Sequence, residues 1–497
     1  MQKTTVGRLG LPAGRWIAWA ATLLAALPTA AQQGPDDGPV IVPPVSAPPP
    51  EPKPGELPPP APPPGPQAEP QPPPPTIQPV EPAPPPPLDI VALEKAIGEA
   101  ITQGVDWLKK QQKDDGSFGA SGLGPTYGGG VGVIPYDNKP GIAALSLLAL
   151  LKSEVPPTDP VILRGFKYLY DHVGQKGNKI STYEMGVTLM AVEALYEGTY
   201  RALLKKQGRK GEDRPGDFKE PKYTPAPNDA QFCSDLLKRL SRSQTRDGGW
   251  RYGEGFAIVG SEEDISATQI VMLGMKAASR MKLPVDPACV RRAMGFVLRS
   301  QERDGPQAPR PANFKPDDRS IYASAGEDRA RGWAYEKKSD NAHELAVTGS
   351  MTTAGIATLL ICKSILAPQL GKKEAAEVDQ AVWDGFAWLN QSWTVLQNPG
   401  TLRSHFYYLY GLERVGTLGL YKQIGEHSWY VEGAIVLVAL QDASGFWDSR
   451  REVNPSDLFD TCFALLYLRR GTVPVGDILR RVQTGKSGPG AGESRAR

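Results

Sequence analysis

Glu262-Glu263-Asp264 stands at the head of an apolar, helix-period stretch that begins Ile265-Ser266-Ala267-Thr268. Carboxyl groups at such a place have two physical uses. One is general-acid chemistry, with Asp264 as the acid and Glu263 beside it. The other is capping, in which Asp264 accepts from the first-turn N–H groups and its acidic neighbours suit the helix dipole. A third use pairs this cluster with Asp317-Asp318, since two carboxylates across a sugar linkage can hydrolyse it. A second constellation is aromatic and basic. Arg403, His405, Tyr407, Tyr408 and Tyr410 open one apolar segment, and His427 and Trp429 open the next. Such groups line the mouth of a pocket for an apolar or anionic ligand, or they are interior aromatics with satisfied hydroxyls. Asp460 lies in the last apolar segment, Asp457-Leu-Phe-Asp-Thr-Cys-Phe-Ala-Leu-Leu-Tyr-Leu468. Asn341, His343 and Glu344 are isolated in a polar connection.

Other catalytic templates are missing from the sequence. It contains no Gly-x-Ser-x-Gly elbow, phosphate loop, dinucleotide fingerprint or His-Glu-x-x-His. The four cysteines, Cys233, Cys289, Cys362 and Cys462, form no Cys-x-x-Cys pair and lie in helix-like apolar patterns. They read as buried small hydrophobes, and no metal or cofactor is expected. With a formal net charge of +2 and no long basic stripe, nucleic acid is not an expected partner.

These residues need a frame to hold them. Met1–Ala31 runs from a basic stretch through apolar Trp16–Leu27 to Thr29-Ala30-Ala31, the order of a secretory signal peptide. Residues 34–88 carry 27 of the 50 prolines and no aromatic residue, so they cannot bury a core. They read as an extended spacer within a Pro-rich linker, 32–88, that holds the next domain off a membrane or wall. Export to the periplasm or envelope is therefore expected, with membrane proximity through the N-terminal segment. The folded part is Asp89–Val475, and 476–497 is a tail.

Six pairs of helix-period segments fill Asp89–Val475. The first member of each pair has a polar face. The second is apolar nearly all round, as in GIAALSLLALL (141–151) and MTTAGIATLLI (351–361). A helix apolar on every face is buried on every face. Six alternations of amphipathic and buried helices predict two concentric layers, an all-α (α/α)6 toroid. Its long connections, including 116–140, 205–228 and 303–349, are expected on the rim around the central cavity.

One heptad punctuates the pairs. Residues 244–250 read QTRDGGW and 441–447 read QDASGFW, so Gln244, Gly248 and Trp250 correspond to Gln441, Gly445 and Trp447. Residues 112–118 read QKDDGSF, with Phe for Trp; the fourth repeat has Gln301 and Gly305 but no aromatic there, and Gly332-Trp333 follows later. The fifth keeps Gln391 and Trp393 only. Gln is expected to satisfy orphan groups at its helix end, Gly to permit a left-handed stop, and Trp to stack on the Gln amide.

These heptads resemble the QW motif of the terpenoid cyclase and protein prenyltransferase superfamily, which implies an α/α toroid over most of Asp89–Val475. The resemblance also implies places for catalytic groups. Squalene cyclases carry their acid in Asp-x-Asp-Asp-Thr at an inner-helix start, where this chain has Glu262-Glu263-Asp264-Ile265-Ser266. Protein prenyltransferases hold zinc through Asp, Cys and His on late inner helices. Here Asp460 stands where their His would be, and Ser404–Tyr410 has no Asp-x-Cys. The expectation is an exported binding or scaffold toroid for an apolar lipid or isoprenoid, a glycan or a protein. A squalene-hopene-cyclase-like isomerase using Asp264 is the alternative.

Overall fold

The computed structural model describes residues 89–119, 139–174, 180–207, 224–251, 263–308, 328–336, 345–419, 421, 423–449 and 457–469. All lie in the second of two compact units, Asp89–Arg497. The signal segment, the Pro-rich linker and the tail 476–497 fall outside the described residues, as do Glu262, Asp317, Asp318, Asn341, His343 and Glu344.

Among the described residues there are twelve α-helices, in outer–inner pairs. The outer members are α1 (Ile90–Lys110), α3 (Pro160–Val173), α5 (Pro227–Ser243), α7 (Pro287–Ser300), α9 (Lys372–Gln391) and α11 (Trp429–Leu440). The inner members are α2 (Lys139–Lys152), α4 (Thr182–Lys206), α6 (Ile265–Arg280), α8 (Gly349–Leu366), α10 (His405–Leu418) and α12 (Asp457–Arg469). Burial separates the two classes. In α5 only the stripe Cys233, Leu236, Leu237 and Leu240 is buried, whereas α6 buries every residue from Ile265 to Met275. The four cysteines are buried, as their patterns predicted, and all four are free.

The inner helices close a ring. Contacts run α2–α4, α4–α6, α6–α8, α8–α10 and α10–α12, and α12 returns to α2. The last outer helix also meets the first, α11 touching α1. Small residues permit this approach: a Cβ on Gly186 of α4 or Gly274 of α6 would strike the other helix's backbone. The sequence thus reads as the all-α toroid that the structure adopts.

Each heptad is a clasp between successive outer helices. Gln244 Nε2 donates to the Gly248 carbonyl of its own turn (2.7 Å) and to Cys289 O of α7 (2.9 Å). Gly248 has φ 103°, and its α carbon lies against the Arg292 carbonyl of α7, so a side chain fits neither the backbone nor the space. The indole completes the job expected of Gln. Trp250 Nε1 donates to Leu240 O (2.8 Å), one of the last four carbonyls of α5, which lack intrahelical partners. Trp250 N donates to Thr268 Oγ1 of α6 (3.1 Å), tying the outer turn to the inner helix.

The same bonds recur. Trp447 Nε1 meets Leu437 O (2.8 Å) and Trp447 N meets Thr461 Oγ1 (3.0 Å). Gln441 Nε2 donates to Ala100 O of α1 (2.8 Å) and Gly445 O (2.9 Å), which joins the last repeat to the first. Gln441→Ala is expected to cost about 1–2 kcal/mol, two net hydrogen bonds, read as a lowered urea midpoint. An unchanged midpoint would show that the seam needs no clasp.

The fourth repeat holds its motif in two pieces. Gln301 Nε2 donates to Ala381 O of α9 (2.9 Å) and Arg331 O (3.0 Å), while Trp333 Nε1 reaches Val297 O of α7 (2.8 Å). Trp333 N meets Thr352 Oγ1 (3.3 Å), and Gln301 pairs with Trp333 across an antiparallel bridge. The intervening excursion starts and ends in a two-stranded ladder, β1 (Gln307–Ala308) with β2 (Asp328–Arg329). Asp384 of α9, 1 % exposed, accepts from Arg329 N and the Arg331 guanidinium. The base of this connection therefore leans on an outer helix. The fifth repeat departs further, because Trp393 Nε1 donates to Glu432 (2.8 Å) and its ring stacks on His427.

Inner helices return outward through a second repeated turn. Glu154 and Lys282 adopt φ 66° and 61°, and Asp159 and Asp286 then cap helices that begin with Pro.

Candidate functional site at the inner-helix N-termini

The ring sets the inner helices side by side with their N-termini at one end. At α6 that end is capped by Asp264, whose Oδ1 accepts from Ala267 N (2.6 Å). Its backbone N–H binds Trp250 O (3.1 Å), and Ile265 N binds Tyr335 O (3.2 Å). Ser181 caps α4 and Thr348 caps α8 at the equivalent places, so the capping position is a feature of the repeat. Asp264 is fully buried, and its Oδ2 lies 3.5 Å from Arg251 Nη1. The same nitrogen holds Glu336, and the guanidinium lies 5.8 Å over the Tyr335 ring. Burial raises the Asp264 carboxyl to about 6, against the lowering effects of Ala267 N–H, Arg251 and the Tyr335 hydroxyl.

Glu263 does not join this group. Its stem packs against Gly249, beside Phe296 of outer helix α7.

Tyr407 does. From α10 its hydroxyl reaches Ser266 Oγ (3.0 Å) and Gln269 Oε1 (2.6 Å) of α6, two helices away in the ring with α8 between them. That span crosses the lumen. Phe463 of α12 packs on both Tyr407 and Tyr410, at ring distances of 5.5 and 5.1 Å, and Phe459 stacks on Phe463. Tyr410 lies under the Arg414 guanidinium, 4.8 Å from its ring. Burial pushes both tyrosine hydroxyls up.

Charge gathers toward the other end of the inner helices. Glu193 of α4 faces Lys152 of α2 (3.5 Å) and Arg280 of α6 (3.3 Å). Arg414 of α10 is also drawn to Glu193, and to Glu413 beside it (3.4 Å). Burial would raise Glu197, yet Lys152, Arg201 and Arg280 hold it well below the carboxylate range. Aromatic and hydroxyl groups thus gather near the inner-helix N-termini, with ion pairs toward the other end.

The remaining pocket candidates are dispersed. Arg403 is exposed on the rim, His405 turns its ring to Val395 O (2.9 Å), and Tyr408 donates to Thr394 O (3.0 Å). Trp429 belongs to the outer layer, with Nε1 on Tyr421 O (2.9 Å). Asp460, in the first turn of α12, accepts from Ser449 N (2.8 Å).

Sequence reasoning passed over Arg251, Tyr335, Glu336 and Gln269. One signal was available: Gly249-Trp250-Arg251-Tyr252 and Gly332-Trp333-Ala334-Tyr335 share Gly-Trp-x-Tyr, which marks Trp333 as the displaced motif aromatic.

No family model matches the chain. Among solved structures it is similar to an α-1,6-mannanase of Salegentibacter in complex with α-1,6-mannotriose, at 9 % identity and TM-score 0.45, covering 76 % of this chain and 98 % of that one. It is also similar to a type II terpene cyclase from Scytonema in complex with geranylgeranyl dihydroxybenzoate, at 10 % identity and TM-score 0.40, covering 77 % and 98 %. An unsaturated glucuronyl hydrolase specific for heparin gives 11 % and 0.40, covering 76 % and 97 %. Scores of this size, at such identities, say nothing about chemistry.

Proposed function

We propose that the toroid is an exported binding module, projected on its Pro-rich stalk, that performs neither isoprenoid cyclisation nor prenyl transfer. One observation carries the reading: the carboxyl at the cyclase-like position is committed to structure. Asp264 Oδ1 caps α6, and Oδ2 faces Arg251. Protonating an alkene carbon calls for a strong acid, and a carboxyl raised to about 6 by burial is a weak one. Beside it, the Tyr407 hydroxyl ties α10 to Ser266 and Gln269 of α6. The order of Met1–Ala31 and the composition of 34–88 support export and a spacer role.

A second reading has its own support. Tyr407, Tyr410, Phe459 and Phe463 make an aromatic wall near a buried carboxyl, as a cyclase-like isomerase with Asp264 as acid would require. Incubation of the purified chain with squalene and with geranylgeranyl-bearing phenols, analysed by mass spectrometry, separates the two. The binding reading expects recovered substrate only. A cyclised product that disappears in Asp264→Asn would establish the isomerase instead.

A further inference from the structure

Among the buried polar atoms that meet no hydrogen-bond partner, one lies beside Tyr407. Gln269 is 1 % exposed; its Oε1 accepts from Tyr407, and among the described residues its Nε2 meets no partner. A buried unpaired amide group costs about 1–3 kcal/mol. Turning the amide over would exchange the two atoms and leave an orphan acceptor in place of an orphan donor. A hydroxyl satisfies either orientation, because it both donates and accepts. A hydrocarbon chain satisfies neither.

The surroundings favour a ring that carries hydroxyls. Tyr407 and Phe459 are half-buried, and Phe463 packs against both. The facing helix presents Ser266 and Gln269. Aromatic faces on one side and hydroxyl and amide groups on the other match the two sides of a pyranose, whose C–H face is apolar and whose edge is polar.

We propose that the lumen mouth is a carbohydrate subsite closed by Tyr407, whose hydroxyl occupies the place where a sugar hydroxyl binds Ser266 and Gln269. The proposal rests on the binding-module reading and names its ligand class. Opening requires the Tyr407 side chain to swing away from α6, giving up two hydrogen bonds that the sugar then restores and extending them to Nε2. Tyr407→Phe keeps the ring but removes the tie, so it lowers the opening cost.

Saturation-transfer NMR on the full chain with a pool of methyl gluco-, manno-, galacto- and N-acetylglucosamine pyranosides tests this. Tyr407→Phe is expected to bind at least one of them about fivefold to thirtyfold more tightly than the unaltered chain, the equivalent of one to two hydrogen bonds at about 1 kcal/mol each. Gln269→Leu and the milder Ser266→Ala, checked for native circular dichroism, are expected to weaken that binding at least tenfold. No pyranoside signal with Tyr407→Phe, or binding indifferent to both α6 changes, overturns the subsite. Farnesol binding that strengthens in Gln269→Leu overturns it in favour of an apolar ligand. Isoprenoid turnover by the unaltered chain would remove the binding-module reading itself, so the two failures are distinguishable.

Discussion

Trp333→Ala is expected to lower the unfolding free energy by about 3–5 kcal/mol, the range for deleting a buried large aromatic side chain. Trp333 is fully buried although it stands 32 residues after Gln301, the residue whose motif it completes. Its ring fills the space left by two glycines, Gly355 of α8 and Gly385 of α9, where a Cβ would strike it. Its indole N–H also serves Val297 O at the end of α7, so truncation leaves both a cavity and an unmet carbonyl. Trp250→Ala and Trp447→Ala should lose similar amounts, because their burial and their bonds to Leu240 O and Leu437 O are equivalent. Urea unfolding of the three variants checks this. A loss below about 1 kcal/mol for Trp333, beside several for the other two, would mean that the interrupted repeat is not clasped as the intact ones are.

Asp264 should make stability depend on pH in the direction opposite to an ordinary ion-paired carboxylate. Its folded value, about 6, lies above its unfolded value of 3.8, so the folded state holds the proton more tightly. The stabilising contribution is fully present below pH 4 and is lost as pH rises through 6. At 1.36 kcal/mol for each unit, the loss is about 3 kcal/mol. In Asp264→Asn the side chain still accepts from Ala267 N, since Asn caps as well as Asp, and Arg251 keeps Glu336. The stability difference between unaltered chain and variant should therefore shift by about 2 kcal/mol between pH 4 and pH 7, to the variant's advantage at pH 7. Other titrating groups cancel in that difference. A flat difference in urea titrations across the window would show that Asp264 stays ionised, paired with Arg251.

The two expectations come from different layers of information. Six hairpins were legible because helix period and the all-round apolarity of segments such as 351–361 are local properties, written in neighbouring residues. The intact heptads were legible for the same reason: Gln244, Gly248 and Trp250 lie within one turn of chain. The role of each member was not, because Gln244 spends its amide on Cys289 of the next outer helix and leaves the orphan carbonyl to the indole. The capping reading of Asp264 needed only the polarity of a helix start, whereas its raised proton affinity comes from full burial in the fold, which outweighs the lowering by Ala267 N–H, Arg251 and Tyr335.

By itself, then, the sequence determined the helices, their two classes, the count that closes a ring and the points where the chain turns. Tertiary structure alone decided which residues meet inside that ring. Tyr407 and Gln269 are 138 residues apart and sit on helices that are not ring neighbours. No periodicity encodes that meeting, because it exists only once closure has fixed the width of the lumen and turned α6 and α10 to face each other.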